Sequence, residues 1–225
     1  MIIAIDGPAG SGKSTIAKNT AHKLGFRYLD TGAMYRAIAV RARDLGIDFD
    51  DGEQLCVIAC NEPIEFGFSD DEPLPSRVFI AQKEVTDEIR RPEIDKAVSP
   101  VSAHRSVRKA LVDQQRKISQ LGDYVVEGRD IGTVVFPDAP VKIFLTANAE
   151  ERARRRTAQN LERDIDSSYE GVLQDLRARD QYDSSRAVSP LVAADDAVTL
   201  DSTMMTIDYV TNLIVELARQ AQASE

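Results

Sequence analysis

The 225-residue chain has no tryptophan, two cysteines and two histidines, and each scarcity removes a class of function. Both cysteines lie in Leu55-Cys56-Val57-Ile58-Ala59-Cys60, and neither His22 nor His104 is near them in sequence. The chain therefore offers no Cys/His set with the spacing of a zinc site. The two thiols read as buried and reduced rather than as a metal or redox pair. The isolated histidines give no reason to propose a catalytic base. Long apolar runs are missing too. No stretch approaches the roughly 18 residues that span a bilayer, and Asp6 ends the first apolar run too early for a signal peptide. The expectation is a cytoplasmic protein without a membrane partner. Positive charge is the minority, 28 Lys and Arg against 37 Asp and Glu, for a formal net charge of −9. That balance argues against a nucleic-acid polymer as partner, although a local arginine cluster can still hold a small anion.

What is present begins at Gly7-Pro8-Ala9-Gly10-Ser11-Gly12-Lys13-Ser14, directly after Ile2-Ile3-Ala4-Ile5. Gly, four residues and Gly-Lys-Ser is the phosphate-binding P-loop pattern. Its glycines let successive backbone N–H groups turn inward around an anion. Lys13 reaches the β- and γ-phosphates of a nucleotide in such a loop, and the Ser14 hydroxyl helps hold Mg²⁺. The context fits: a β-branched run precedes the loop, and Thr15 to Leu24 follows at helical spacing, stopped by Gly25.

Short apolar runs then alternate with helical segments. Phe26 to Leu29, Tyr124 to Glu127, Val141 to Leu145 and Ala197 to Leu200 read as further strands. Ala33 to Leu45 reads as a helix with Met34, Ile38 and Leu45 on one side. The last helix places Ile207, Val210, Ile214, Leu217 and Ala221 on one face. Buried strands alternating with helices predict an α/β fold: a parallel sheet covered on both sides. Two segments stand apart. Residues 61–92 alternate Ile64, Phe66 and Phe68 with Glu65 and Gly67, run through the acidic, Pro-rich Ser69 to Pro75, and predict an antiparallel meander. Residues 149–166 carry Arg152, Arg154, Arg155 and Arg156 with only alanine facing a core before Leu161. That run reads either as a solvated helix face or as a mobile lid that docks on phosphate charge, and the lid is favoured by its place after a P-loop strand order. Arginines also recur at strand ends, Arg36 after Asp30-Thr31-Gly32 and Arg129 after Glu127-Gly128, while Arg179, Asp183 and Arg186 are spaced along a helix side. In open α/β sheets the ligand crevice lies at the carboxyl ends of the strands. Arginine's planar fork suits phosphate, so the pattern predicts a second anionic ligand opposite the P-loop.

Four segments together resemble the bacterial cytidylate kinase family: Gly7 to Ser14, Leu29 to Arg36, Glu127 to Pro137 and Arg186 to Leu191. The resemblance extends over essentially the whole chain. It implies a single P-loop kinase domain over 1–225, with a parallel five-stranded core and helices on both faces. Within it, a monophosphate-binding region spans about 31–122, enlarged by the antiparallel insert at about 61–92, and a short lid spans about 149–166. The implied activity is ATP-dependent transfer of a phosphoryl group to CMP or dCMP, with Mg²⁺, by a monomer. On the resemblance, Thr31, Arg36, Arg129 and Arg186 hold the CMP phosphate, Arg179 and Asp183 meet the ribose, and Ser99, Arg108 and Asp130 read cytosine. ATP falls to Gly7, Pro8, Ala9, Gly10, Ser11, Gly12, Lys13, Ser14 and Thr15 with Arg156, Mg²⁺ to Ser14, and catalysis to Lys13, Arg129, Arg186 and Arg155. Family members carry serine at the position of Thr31 or glycine at that of Ser14. A GTPase-type switch is disfavoured, because no Asn-Lys-x-Asp or Asp-x-x-Gly motif occurs. A kinase for another monophosphate or a small hydroxylated metabolite is the nearer alternative.

Overall fold

The computed structural model describes residues 1–68, 74–186 and 188–223. Its strands are β1 (Ile2–Asp6), β2 (Arg27–Asp30), β3 (Ile64–Phe68), β4 (Pro75–Ile80), β5 (Lys83–Glu84), β6 (Tyr124–Gly128), β7 (Val141–Thr146) and β8 (Val198–Asp201). The helices are α1 (Lys13–Leu24), α2 (Thr31–Leu45), α3 (Gly52–Asn61), α4 (Pro92–Ala103), α5 (Arg105–Ser119), α6 (Ala149–Leu161), α7 (Tyr169–Ser185) and α8 (Ile207–Gln222). Five strands form the main sheet in the order β2-β6-β1-β7-β8, and every neighbouring pair is parallel. This is the α/β architecture expected from the sequence.

Alternation along the strands builds the two layers. Ile3 and Ile5 point into a core shared with Ile16 and Ala17 of α1 and Val210 and Ile214 of α8. Ala4, Leu29 and Val126 point the opposite way, against α2, α3, α4 and α5. The period of two in a strand sends successive side chains to opposite faces, so a strand covered on both sides is apolar throughout. The expected meander is present as the antiparallel sheet β3-β4-β5, whose Ile64, Val78 and Ile80 join the α2 side of the core. Residues 69–73 of its acidic stretch lie outside the described residues, as does Ala187.

Three expectations about packing need correction. The cysteines are not buried: Cys60 is exposed and Cys56 partly so, because Leu55, Ile58 and Ala59 take the inward stripe of α3. Leu45 and Ile207 are half exposed at helix ends. Leu161 does not close the inner face of α6. It is 77% exposed, and Arg152, Ala153 and Asn160 are buried instead. Arg152 donates to Ala147 O (2.9 Å) and Ala9 O (3.1 Å) and makes a two-pronged pair with Asp180 of α7, at 3.1 and 2.6 Å. This arginine is tied to the P-loop and to α7 rather than free for phosphate. An alanine-rich helix face docks here because a buried guanidinium with four bonds replaces the missing apolar stripe.

Candidate active site

The P-loop connects β1 to α1 with Gly7, Gly10 and Gly12 at positive φ. A Cβ on Gly7, whose φ is +149°, would stand 2.0 Å from Leu145 O on the adjoining strand. Lys13 opens α1 and is almost wholly buried, its Nζ donating to Pro8 O at 2.7 Å. Burial, reinforced by the Arg129 charge, pulls its ammonium down to about 7. A bound phosphate would reverse that shift.

Two cavities flank Lys13. The inner one, about 200 Å³, lies at the carboxyl ends of β1, β2 and β6. It gathers Thr31, Arg36, Ser99, Arg108, Arg129, Asp130, Arg179, Asp183 and Arg186, every residue that the resemblance assigns to the monophosphate. The outer one, about 790 Å³, lies between α6 and residues 202–207, on the far flank of the loop. Ser14 and Arg156 line both. Arg155 lines only the outer cavity, donating to Ser202 O (2.7 Å), Ser202 Oγ (3.1 Å) and Glu151 Oε1 (2.8 Å).

The inner wall is a set of interlocked ion pairs. Asp30 caps α2 by accepting from Ala33 N (3.0 Å), and its second oxygen accepts from Arg36 (2.6 Å). Thr31 Oγ1 donates to Glu127 O at 2.7 Å, a close approach that leaves no room for a side chain at Gly128: a Cβ there would meet Thr31 Oγ1 at 2.7 Å. Arg129 spans the loops, donating to Asp183 (2.9 Å) and to Gly7 O (3.0 Å). Arg186 stands 3.6 Å from the other Asp183 oxygen. Burial pushes the Asp183 carboxyl up, but Arg129, Arg179 and Arg186 outweigh it and hold it below the usual range. Asp130 pairs not with its sequence neighbour Arg129 but with buried Arg108, whose guanidinium lies 5.5 Å above the Tyr35 ring. Three buried donors at this wall, Arg108 Nε, Arg179 Nε and Arg186 Nη2, have no partner among the described residues. Buried donors are ordinarily satisfied, so an unmatched set marks where a polar ligand belongs.

Several lining residues escape a motif-based reading. Asp95 of α4 accepts from Arg156 (3.0 Å) and Arg179 (3.4 Å), joining α6 and α7 across the cavity. Glu127 is buried beside Lys13, and burial raises its carboxyl despite the hydroxyls of Tyr28 and Ser14. Residues 202–207 bring Met204, which is 93% exposed, and Met205 to the outer cavity. Asp95 lies in an anonymous helix, and the methionines lie just beyond the Leu200 to Thr203 strand end that the family resemblance covers. Only Glu127, inside the Glu127 to Pro137 segment, stood in a recognisable stretch.

The family model described as cytidylate kinase matches residues 3–220. The cytidylate kinase of Exiguobacterium sibiricum is 48% identical over 219 residues, 97% of either chain. That of Enterococcus faecalis is 48% identical over 218 residues, 97% of this chain and 95% of the other. Among solved structures, shikimate kinase from Bacteroides thetaiotaomicron aligns with a TM-score of 0.50 at 12% identity, covering 97% of this chain and 98% of that one. Such a distant likeness speaks for the fold alone. The match over nearly the full length, joined to a P-loop facing a wall of paired arginines, makes this chain a member of the cytidylate kinase family.

Proposed function

We propose that the protein transfers the γ-phosphoryl group of ATP to CMP or dCMP, giving ADP and CDP or dCDP, with CMP in the inner cavity and ATP along the outer one. The observation that carries this reading is the pair of cavities meeting at Lys13, one of them walled by arginines with unmatched buried donors. A CMP phosphate held by Thr31, Arg36, Arg129 and Arg186 is already anionic, so its oxygen attacks the γ-phosphorus without a side-chain base. The bond between that phosphorus and the β–γ bridging oxygen breaks, and ADP leaves. Phosphoryl transfer depends on alignment and on stabilising charge spread over the moving oxygens. Lys13, Arg129 and Arg186 supply that charge from the inner side. Arg155, fixed to Ser202 and Glu151, supports the P-loop flank and takes part from the ATP side.

Ser14 fits Mg²⁺: its hydroxyl stands on the first turn of α1 at the junction of the cavities, with the Glu127 carboxylate against it. Mg²⁺ held there by Ser14 would supply positive charge to offset that of the nucleotide's phosphates. Arg179 and Asp183 meet the ribose, and Ser99, Arg108 and Asp130 read the base. Residues 31–122 form the monophosphate region. Residues 149–166 form a lid that closes about the Arg152 anchor, with Arg156 exchanging Asp95 for phosphate. The site is complete within one chain, which suits a monomer.

An ADP-release assay across CMP, dCMP, UMP, AMP and shikimate tests the reading. CMP and dCMP are expected to turn over, with kcat/KM for the others at least ~100-fold lower, about 2.7 kcal/mol. Equal use of AMP or shikimate would overturn it.

A further inference from the structure

Asp6 is the last residue of β1, 4% exposed and beside the P-loop, yet no step above uses it. Its Oδ1 accepts from Ile131 N at 2.8 Å and its Oδ2 from Gly132 N at 2.7 Å. Those two amides open a short, wide turn over Ile131–Val135. It is closed by bonds from Val135 N to Asp130 O (3.1 Å) and from Phe136 N to Ile131 O (2.7 Å), each spanning five residues. Wide turns of this kind recur at functional sites. The first N–H groups of any helical turn lack intrahelical partners, and an aspartate just before the turn is the usual residue to satisfy them. Asp130 occupies that position, but its carboxylate makes no capping bond. It faces Arg108 and the inner cavity instead.

We propose that Asp6 is a positioning residue for nucleobase selection: it caps the Ile131–Val135 turn from a neighbouring strand and so releases the Asp130 carboxylate to pair with Arg108 and meet the base. The geometry calls for an anion here. Two N–H groups converge on one side chain, and a carboxylate presents a separate acceptor oxygen to each. Burial is costly for such a group; it pushes the carboxyl up to about 6 even though both amides and Lys13 oppose the shift. A stabilising purpose alone would be met by an aspartate capping its own turn. The capping role is placed instead on a residue 124 positions earlier in the chain, on the strand paired with β6 in register Asp6 to Gly128. That pairing fixes the turn relative to the P-loop, and Arg129 adds a second stitch between the loops at Gly7 O.

This inference rests on Asp130 reading the base, and the experiment separates the two. In Asp6→Asn, the amide N–H₂ faces one of the two backbone N–H groups, donor against donor. The Asp130 carboxylate is then drawn back to cap its own turn. Expected is a fall of tenfold or more in the CMP-to-UMP ratio of kcat/KM, carried by a higher KM for CMP, with the KM for ATP within twofold of wild type. A double-mutant cycle with Asp130→Ala is expected to be strongly non-additive on that ratio, since both changes remove one function. An unchanged ratio in folded Asp6→Asn, with only a lower Tm, would make Asp6 structural and overturn the inference. If Asp130→Ala leaves the ratio unchanged while Asp6→Asn raises the KM for CMP, base reading by Asp130 fails and this inference fails with it, leaving Asp6 only as a loop anchor. Should Asp6→Asn not fold, hydrogen exchange on the wild type can still overturn the inference: the Ile131 and Gly132 amides are expected to be protected like those of β1 and β6. Rapid exchange there would contradict the capping bonds.

Discussion

The two cavities beside Lys13 are built on different terms. On the inner side the arginines are mostly tied to carboxylates: Arg36 to Asp30, Arg108 to Asp130, and Arg129 and Arg186 to Asp183. Asp30 is held in turn as the cap of α2, and Asp183 is shared by two arginines. On the outer side Arg154 and Arg155 share Glu151, and Arg155 also donates to the Ser202 carbonyl. Arg154 is exposed, however, and the far wall is made of exposed Met204 and Met205 with Ile207. A wall of locked, buried polar groups rejects a mismatched partner, because its own groups are then left unpaired. Flexible methionines accept many shapes. On the proposed function, selectivity for the phosphoryl acceptor would reside in the inner wall, and tolerance in the outer one.

The change expected to act most strongly strikes the point the cavities share. Lys13→Ala removes a preorganised cation from the transferring group, and turnover is expected to fall a hundredfold or more, on the order of 3 kcal/mol. Circular dichroism should remain that of the wild type. Steady-state kinetics at saturating CMP and ATP check this, and near-normal kcat would remove Lys13 from the chemistry. On the inner wall, Asp183→Ala takes the shared carboxylate from Arg129 and Arg186. Its expected effect is a tenfold to hundredfold loss of kcat/KM with CMP and dCMP alike, the two sharing the 3′-hydroxyl. In the wild type a 2′,3′-dideoxy analogue should show a similar deficit; its use as readily as CMP would break the assignment of Asp183 to the ribose. Smallest of all should be Met204→Ala, which trims an exposed side chain of the outer cavity: a change in the KM for ATP of less than fivefold. A larger loss there than in Asp183→Ala would invert the contrast between the walls.

The sequence already displayed the parts that depend on local chemistry. The P-loop is legible because glycine spacing encodes a backbone shape, and the sheet because apolar runs of four or five residues suit strands buried on both faces. Arg36, Arg129, Arg179, Asp183 and Arg186 are visible as polar residues placed at strand ends and along one helix side. What the chain order hides is partnership. Nothing near Asp130 says that it pairs with Arg108, 22 residues away, or that Asp6 caps the turn Asp130 precedes. Arg152 misleads for the same reason. It reads as one of four similar arginines, yet contact with Asp180 and the P-loop makes it an anchor. Exposure of the cysteines turns on the rotation of α3 about its axis, which is set by Leu55, Ile58 and Ala59 meeting a core assembled from distant segments.

The central claim is that the buried Arg108–Asp130 pair makes the inner wall read cytosine. Cytosine presents an amino donor beside a ring acceptor, whereas uracil presents a carbonyl beside an N–H, so the same pair meets uracil acceptor against acceptor and donor against donor. The most direct test is the ratio of kcat/KM for CMP over UMP in the wild type, Asp130→Ala and Arg108→Ala. The wild type is expected to favour CMP at least ~100-fold, and each variant to shrink that ratio mainly by losing activity on CMP. A ratio unchanged in both variants would contradict the claim.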